Sequence, residues 1–260
     1  MTTHKDNMAL KRIWIYWAQG WEDAPPICKI CRDSWIKLNP TWEVIQLDHD
    51  SVREFIPDDI YDKILKFATH TTQSDVIRLY LVYTYGGLWT DCTNVCNKPL
   101  DDWLVESLLV DDIWLHWDFN SPVSTYNFLY SRIPNNEILL KPFDAIIDNS
   151  SLYKGEYQRV VRAFSGSLDA DLKNKLKTQK QIGRSSNRTS PKQGTKIIAN
   201  NFKAMCKEVD KTFLEALNTY PLFKLTWKFK DNDKPLQSVF PPDSKLVYLL
   251  TALSLLPENE

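Results

Sequence analysis

Residues 72–104 read TQSDVIRLYLVYTYGGLWTDCTNVCNKPLDDWL, and the fold turns on how this stretch is read. Thr72 or Ser74 offers a side-chain oxygen that can cap a helix starting near Gln73 and running to Tyr85. Val76, Leu79, Tyr80 and Tyr83 recur at helical spacing and form its apolar face. Asp75 and Arg78 are three residues apart in the first turn, so they share the opposite face. Gly86 and Gly87 end the helix, because glycine allows a tight turn and a close backbone approach. Leu88 to Thr90 is a short strand, and Asp91 stands where it stops. Such an order places a carboxylate at the rim of an α/β sheet, where ligands bind.

Working outward, Lys11 to Trp17 is rich in β-branched and aromatic residues and predicts the first strand. Ala24-Pro25-Pro26 opens a helix to about Leu38, with Ile27, Ile30, Cys31, Ser34, Trp35 and Leu38 on its buried face. Asn39-Pro40 ends it. Trp42 to Leu47 is a second strand, followed by Asp48, His49 and Asp50. A strand–helix–strand unit of this length predicts parallel strands and a right-handed crossover, here without a dinucleotide glycine fingerprint. Pro57 splits two short helices, Ser51–Phe55 and Asp58–Phe67. Downstream, Asp112–Trp117 and Tyr126–Tyr130 read as strands and Asn136–Ile147 as a helix. Ile197–Thr219 is helical, Tyr220–Lys230 alternates like a strand, and Ser244–Leu256 is a final apolar helix. Asp101 and Asp102 fit a turn or helix cap better than a ligand set.

The expected organisation is one domain over residues 1–260, with its binding core at 11–104 and a helical C-terminal part at 197–260. Residues 165–196 carry many Lys and Arg side chains among Gly, Ser and Pro, which predicts a mobile basic loop. Two roles are open to it: contact with diphosphate, an anionic acceptor or lipid headgroups, or plain solvation.

A net charge of −1 excludes a global basic field, so nucleic acid is not an expected partner. Five cysteines are an odd number. Cys28-x-x-Cys31 with Cys92 and Cys96 does not match a common zinc spacing, and packing residues are expected there. Met1 to Leu10 is polar and has no apolar leader core, so a reducing cytoplasm is the expected location. The last apolar run falls short of the about 20 residues that span a bilayer. It could lie at the inner face of the plasma membrane as a peripheral contact; with only Lys245 on a polar face, packing on the domain is expected.

The chemistry of the central stretch follows from residue types. On its own, Asp75 with Arg78 is most simply an intrahelical ion pair. Together they can also hold vicinal sugar hydroxyls, the carboxylate accepting and the guanidinium donating. Arginine can contact phosphate as well. A carboxylate such as Asp91 can hold Mg²⁺ or Mn²⁺ that bridges phosphate oxygens and neutralises a leaving diphosphate.

Ser74-Asp75-x-x-Arg78, then Tyr85-Gly86-Gly87-Leu88-Trp89-Thr90-Asp91-x-Thr93, resembles the sugar-binding region of the DXD-motif glycosyltransferases. It is most similar to the bacterial capsular polysaccharide synthesis family, related to the glucosylating clostridial toxins. Ile13 to Trp17, Ser34-Trp35-x-x-Leu38-Asn39-Pro40, Val44 to Asp48 and Lys98 to Leu104 also resemble family positions, and Pro221 to Lys228 is a weaker echo. The resemblance implies a GT-A-type, Rossmann-like α/β fold. It implies a retaining transferase that moves a sugar from a nucleotide-sugar, usually a UDP-sugar, to an oligosaccharide or lipid-linked glycan in surface polysaccharide synthesis. By position, Trp14 would stack on uracil with Ile15 beside it, and Asp75 and Arg78 would hold the donor sugar. Gly87, Trp89, Asn127 and Trp227 would complete the donor site. Asp91 would be the first metal ligand for Mn²⁺ or Mg²⁺, and Asp231 a further one. Thr93 stands where a second carboxylate is usual, a weaker ligand. That departure leaves two other readings: a degenerate, non-catalytic glycan- or protein-binding module, and an effector that glycosylates host proteins.

Overall fold

The computed structural model describes residues 11–115, 127–148, 163–179 and 202–256. Its centre is a five-stranded sheet. Strand β1 (Arg12–Tyr16) pairs in parallel with β2 (Glu43–Leu47) on one side and β3 (Gly87–Thr90) on the other. β3 then pairs antiparallel with β6 (Phe128–Ser131), and β6 antiparallel with β5 (Ile113–Leu115). The spatial order is β2-β1-β3-β6-β5, so four strands share a direction and β6 runs against them. The α/β class expected from the sequence is what the structure shows.

Alternation along each strand sends side chains to two different cores. Trp14, Trp89, Leu129 and Leu115 face a cluster completed by α2 (Asp58–Ile64), α3 (His70–Tyr85) and α4 (Glu137–Ile147). Ile13, Leu88, Phe128 and Trp114 face the opposite side, where Trp35 of α1 (Pro26–Leu38) meets them. Tryptophans thus fill both sides of the sheet, and Trp14, Trp35, Trp89 and Trp114 are each almost fully buried.

Helix α3 begins three residues earlier than expected. Its cap is Thr69, whose hydroxyl accepts from the Thr72 amide, while the Thr72 hydroxyl accepts from the Thr69 amide. This reciprocal cap satisfies two orphan amide donors and overrides the Thr72 and Ser74 alternatives. The extra turn brings Asp75 into the second turn rather than the first.

Three other expectations need correction. The predicted basic loop at 165–196 contains α5 (Ala170–Thr178), capped by Asp169, with Leu172 and Leu176 buried at helical spacing. Its end is tied to the sheet: Gln179 donates to the carbonyls of Leu108 and Ile113 and accepts from the Leu115 amide. Lysines on the outer face had masked that apolar seam. The remainder of that segment, 180–196, lies outside the described residues. The alternating run 220–230 is a strand, β7, only over Leu222–Lys224. It pairs antiparallel with β4 (Asn94–Cys96), which the sequence pattern does not announce. Finally, 197–219 is not one helix: α6 (Phe202–Met205) and α7 (Lys211–Thr219) are separated by a bridge from Glu208 to Ser244.

The C-terminal elements pack on α1. Cys28, Cys31, Val95, Phe213, Phe223 and Leu249 share one cluster. The short α8 (Leu236–Val239) leads to α9 (Lys245–Ala252), which buries Leu246, Leu249 and Leu250 there. Lys245, expected on a polar face, is itself buried and pairs with Asp210. The apolar side of α9 is therefore used inside the domain. Among the described residues, no helix is long and apolar enough to cross a membrane.

Candidate active site

The turn after β3 gathers charge from three parts of the chain. Asp91 follows the last residue of β3. Its amide donates to the Asn127 carbonyl at 3.0 Å, and its carbonyl accepts from the Asn94 amide at 2.9 Å. Both ends of the peptide are thus held, and the side chain projects from a fixed backbone. Arg78, on α3, reaches it with one nitrogen 2.9 Å from Asp91 Oδ1. The same nitrogen is 2.9 Å from Asp75 Oδ1. Trp89 Nε1 donates to Asp91 Oδ1 at 3.1 Å, and the Arg78 guanidinium lies over the Trp89 ring at 5.4 Å. The other oxygen, Oδ2, accepts from Lys224 Nζ at 2.7 Å.

Burial grades across this set. The side chains of Arg78 and Asp75 are 2% and 5% exposed, whereas those of Asp91 and Lys224 are 24% and 15% exposed. The inner pair is sealed from solvent and the outer pair is the part of the set that solvent reaches. Burial drives the Asp75 carboxyl up to about 7 against the pull of Arg78. At Asp91 burial acts in the same upward sense, but Lys224 and then Arg78 outweigh it and the net direction is downward. The two carboxylates therefore differ in role: Asp91 is a fixed anion, while Asp75 titrates near neutrality. Asp75 Oδ2 is buried and makes no hydrogen bond, so one strong acceptor is left for a ligand hydroxyl.

Of the residues expected at the site, Asp75, Arg78, Asp91 and Trp89 come together. Trp89 takes part through its N–H and through the ring face that Arg78 covers, and at 1% exposure that ring is also part of the core. Asn127 takes part through its backbone carbonyl, which accepts from both the Asp91 amide and the Asn94 side chain. Thr93 likewise contributes its carbonyl, which accepts from the Leu225 amide at 2.8 Å and anchors the chain that carries Lys224.

Trp14 and Ile15 do not present a face to a base. Both are 0% exposed, and the Trp14 indole donates to the Gly86 carbonyl while packing edge-on to Phe55. Alternation puts Trp14 under the sheet, a placement that strand spelling alone leaves open. Gly87 also serves another purpose. It sits at the far end of β3, four residues or about 13 Å of extended chain from Asp91. A Cβ there would lie 2.8 Å from the Arg12 carbonyl oxygen, so the glycine lets β1 and β3 approach. Asp231 pairs with Lys234 at 3.1 Å. Trp227 is half-buried and packs edge-on to Trp17 at 5.4 Å. Trp17 follows β1 directly, and extending the β1–β3 register sets Tyr16 opposite Asp91. The tryptophan at this end of the strand is therefore Trp17. Its indole Nε1 is buried and makes no hydrogen bond.

A profile of the family described as "capsular polysaccharide synthesis protein" matches residues 1–241. The chain belongs to that family.

Its curated relatives carry glycosyltransferase names. "Glycosyltransferase afumC" of Aspergillus fumigatus is 31% identical over 103 residues, which is 35% of this chain and 26% of that protein. "Inositol phosphoceramide mannosyltransferase 2" of Schizosaccharomyces pombe is 29% identical over 50% of this chain and 34% of its own length. An uncharacterised glycosyltransferase, L373, of Acanthamoeba polyphaga mimivirus is 26% identical over 60% of this chain and 61% of its own length. The match thus spans between about a quarter and three fifths of these relatives. Among solved structures, the PaToxG glycosyltransferase aligns over 64% of this chain and 73% of its own, at 14% identity and a TM-score of 0.46.

The family resemblance raised a divalent ion, and the residues here do not fit one. Such an ion needs oxygen ligands that are not already held by other cations. Asp91 Oδ1 accepts from a guanidinium and an indole, and Oδ2 from an ammonium. Among the described residues, no group of three or more His, Cys, Asp or Glu side chains is placed to hold a metal. The cysteines do not supply one either. All five are unbridged, and burial pushes the Cys31 and Cys96 thiols up, Cys96 to about 12, which keeps them protonated and inert.

Lys224, in contact with Asp91, and Trp17, at the same end of the sheet, are candidate site residues that the motif alone does not single out. Lys224 lies 133 positions beyond Asp91 in sequence. Its signal was the motif echo at Pro221 to Lys228, which named the region but not which side chain mattered.

Proposed function

We propose that this chain is a GT-A-type glycosyltransferase that moves a sugar, with retained anomeric configuration, from a nucleotide-sugar to a glycan. A UDP-sugar is the proposed donor, and an oligosaccharide or lipid-linked glycan of a surface polysaccharide the proposed acceptor. The fungal relatives widen the acceptor range to other hydroxyl-bearing molecules. One observation carries the reading: the Asp75–Arg78–Asp91 constellation at the carboxyl end of β3, in a member of the capsular polysaccharide synthesis family.

The residues divide the work. Asp75 Oδ2 accepts from a donor-sugar hydroxyl, and the vicinal hydroxyl meets the Arg78–Asp91 pair. Because Arg78 is locked by two carboxylates and a tryptophan face, the sugar is held without reorganising the site. The half-buried Trp17 and Trp227 offer aromatic surface close by for the nucleotide base. Both site carboxylates are paired with cations, and Asp75 Oδ2, which has no partner, is taken up by the donor-sugar hydroxyl, so neither carboxylate is offered to the acceptor as a general base. That favours attack on the face the diphosphate leaves, with the diphosphate taking the acceptor proton, and this is the retaining outcome.

A panel of UDP- and GDP-sugars tests the reading. Slow release of the nucleoside diphosphate from one donor is expected, together with a thermal shift on adding that nucleotide. Absence of both across the panel would leave a non-catalytic module as the better account. With an acceptor in hand, NMR of the product anomer decides retention against inversion.

A further inference from the structure

We infer that Lys224 supplies the positive charge that meets the departing diphosphate, so that transfer by this chain does not depend on a divalent ion. The inference rests on the glycosyltransferase reading above and adds a residue and a cofactor statement to it.

The fold goes to some length to place this side chain. β7 exists as a strand only where it pairs with β4, and in that ladder Lys224 is opposite Asn94. The next amide, of Leu225, donates to the Thr93 carbonyl. The preceding residues Leu222 and Phe223 are buried in two different clusters and fix the register from both faces. Lys224 is therefore docked by backbone pairing on Thr93 and Asn94, two and three residues after Asp91. The Lys224 side chain is 15% exposed, and taking an ammonium on a long flexible stem out of water is costly.

Neutralising Asp91 is not that reason by itself. Arg78, which also holds Asp75, already contacts Asp91 through its other oxygen, so Lys224 is the second cation on that carboxylate. Two fixed cations face Asp91 and an Asp75 that is partly protonated at neutral pH. Two cations stand against two carboxylates, so the set is balanced with Asp75 ionised and gains positive charge as Asp75 takes a proton, which suits a diphosphate. It opposes a metal: an ion bound at Asp91 Oδ2 would share that oxygen with an ammonium 2.7 Å away. Thr93, standing where a second carboxylate would recruit the ion, supplies no charge.

In the step itself, the bond between the anomeric carbon and the phosphate oxygen breaks, and both electrons stay on that oxygen. The acceptor hydroxyl oxygen bonds to the anomeric carbon, and its proton passes to the released diphosphate. Lys224 takes no part in that proton transfer and donates a hydrogen bond to the oxygen where charge develops.

The test compares wild type, Lys224→Arg and Lys224→Met on whichever donor is turned over, each in EDTA and in Mn²⁺. Wild type should keep its rate in EDTA to within about twofold. Lys224→Met should lose about 100-fold in kcat or more, the scale of removing one charge-stabilising donor, with a smaller change in KM. Lys224→Arg should recover part of the loss, and Mn²⁺ should not rescue the methionine variant. Wild-type activity that is abolished by EDTA and restored by Mn²⁺ overturns the inference, and that result needs no variant to fold. A folded Lys224→Met enzyme with wild-type kcat in EDTA overturns it too. If wild type neither turns over nor binds any donor in either condition, the glycosyltransferase reading falls, and the lysine's role with it.

Discussion

At the scale of single residues, the site is a contest between burial and pairing. Asp75 shows it most clearly. Its carboxyl is 3% exposed as a residue, and one of its oxygens is unsatisfied. Burial lifts it from an ordinary 3.8 to about 7, although Arg78 stands at 2.9 Å. The consequence for stability is opposite to that of most paired aspartates. Between the unfolded value near 3.8 and the folded value near 7, the native state holds a proton that the unfolded chain has lost. Stability contributed by this group is therefore present below the unfolded value and drains away as pH rises toward about 7. Asp91 works in the other direction. Its lowered carboxyl adds stability above the ordinary carboxylate range, which is lost only in acid. The prediction is a difference measurement: melting temperatures of wild type and Asp75→Asn from pH 4.5 to pH 7.5. Wild type should fall relative to the asparagine variant as pH rises. Parallel curves would show that Asp75 is ionised throughout, as an ordinary ion pair would be.

At the scale of elements, the legible and illegible parts of the sequence separate on physical grounds. α1, β1, β2, β3 and α4 were readable because periodicity, a proline or a glycine marks each. Asp75, Arg78 and Asp91 were readable for the same reason, since a helix face and a strand end fix where they go. β4, β7 and α5 were not. β4 and β7 are three residues each, too short to show a period, and each is a strand only because the other is beside it. The exclusion of Trp14 from the site was equally hidden, because which face of β1 becomes core depends on what packs there. Gly87 has a packing role that its sequence context does not announce, and that role is measurable. Its φ is +85°, and a methyl group on its Cα would stand 2.8 Å from the Arg12 carbonyl oxygen, so substitution there meets two penalties. Gly20 has a similar φ of +89° with nothing within 4 Å, so it isolates the backbone penalty. Gly20→Ala should cost about 1–2 kcal/mol in urea unfolding, the left-handed penalty alone. Gly87→Ala should cost at least about 1 kcal/mol more, with strands β1 and β3 forced apart. Equal losses at both positions would place Gly87's role back in conformation rather than contact.

At the scale of the whole molecule, the chain closes a loop on itself through its chemistry. The N-terminal half builds the sheet and carries Asp75, Arg78 and Asp91. The C-terminal part returns across α1 to lay β7 beside β4 and so delivers Lys224. The long return path explains why a binding core at 11–104 was readable while the complete site was not: the last charged group depends on contacts far apart in sequence. It also makes folding of the C-terminal part and assembly of the site one event. Phe223 is the pivot, buried to 1% exposure between Lys224 and the α1 cluster. Phe223→Ala should cost about 3–5 kcal/mol, the usual range for emptying a buried phenylalanine site. The loss should be local before it is global. Asn94 and Cys96 face Lys224 and Leu222 across the β4–β7 ladder, while the β1–β2 ladder is held by other contacts. Hydrogen exchange should therefore show faster opening at β4, β7 and α9 and unchanged protection at β1 and β2. Uniform loss of protection would mean that the two halves unfold as one unit. Unchanged protection at β4 would mean that β7 is not what holds it, and the docking of Lys224 at Asp91 would then need another support.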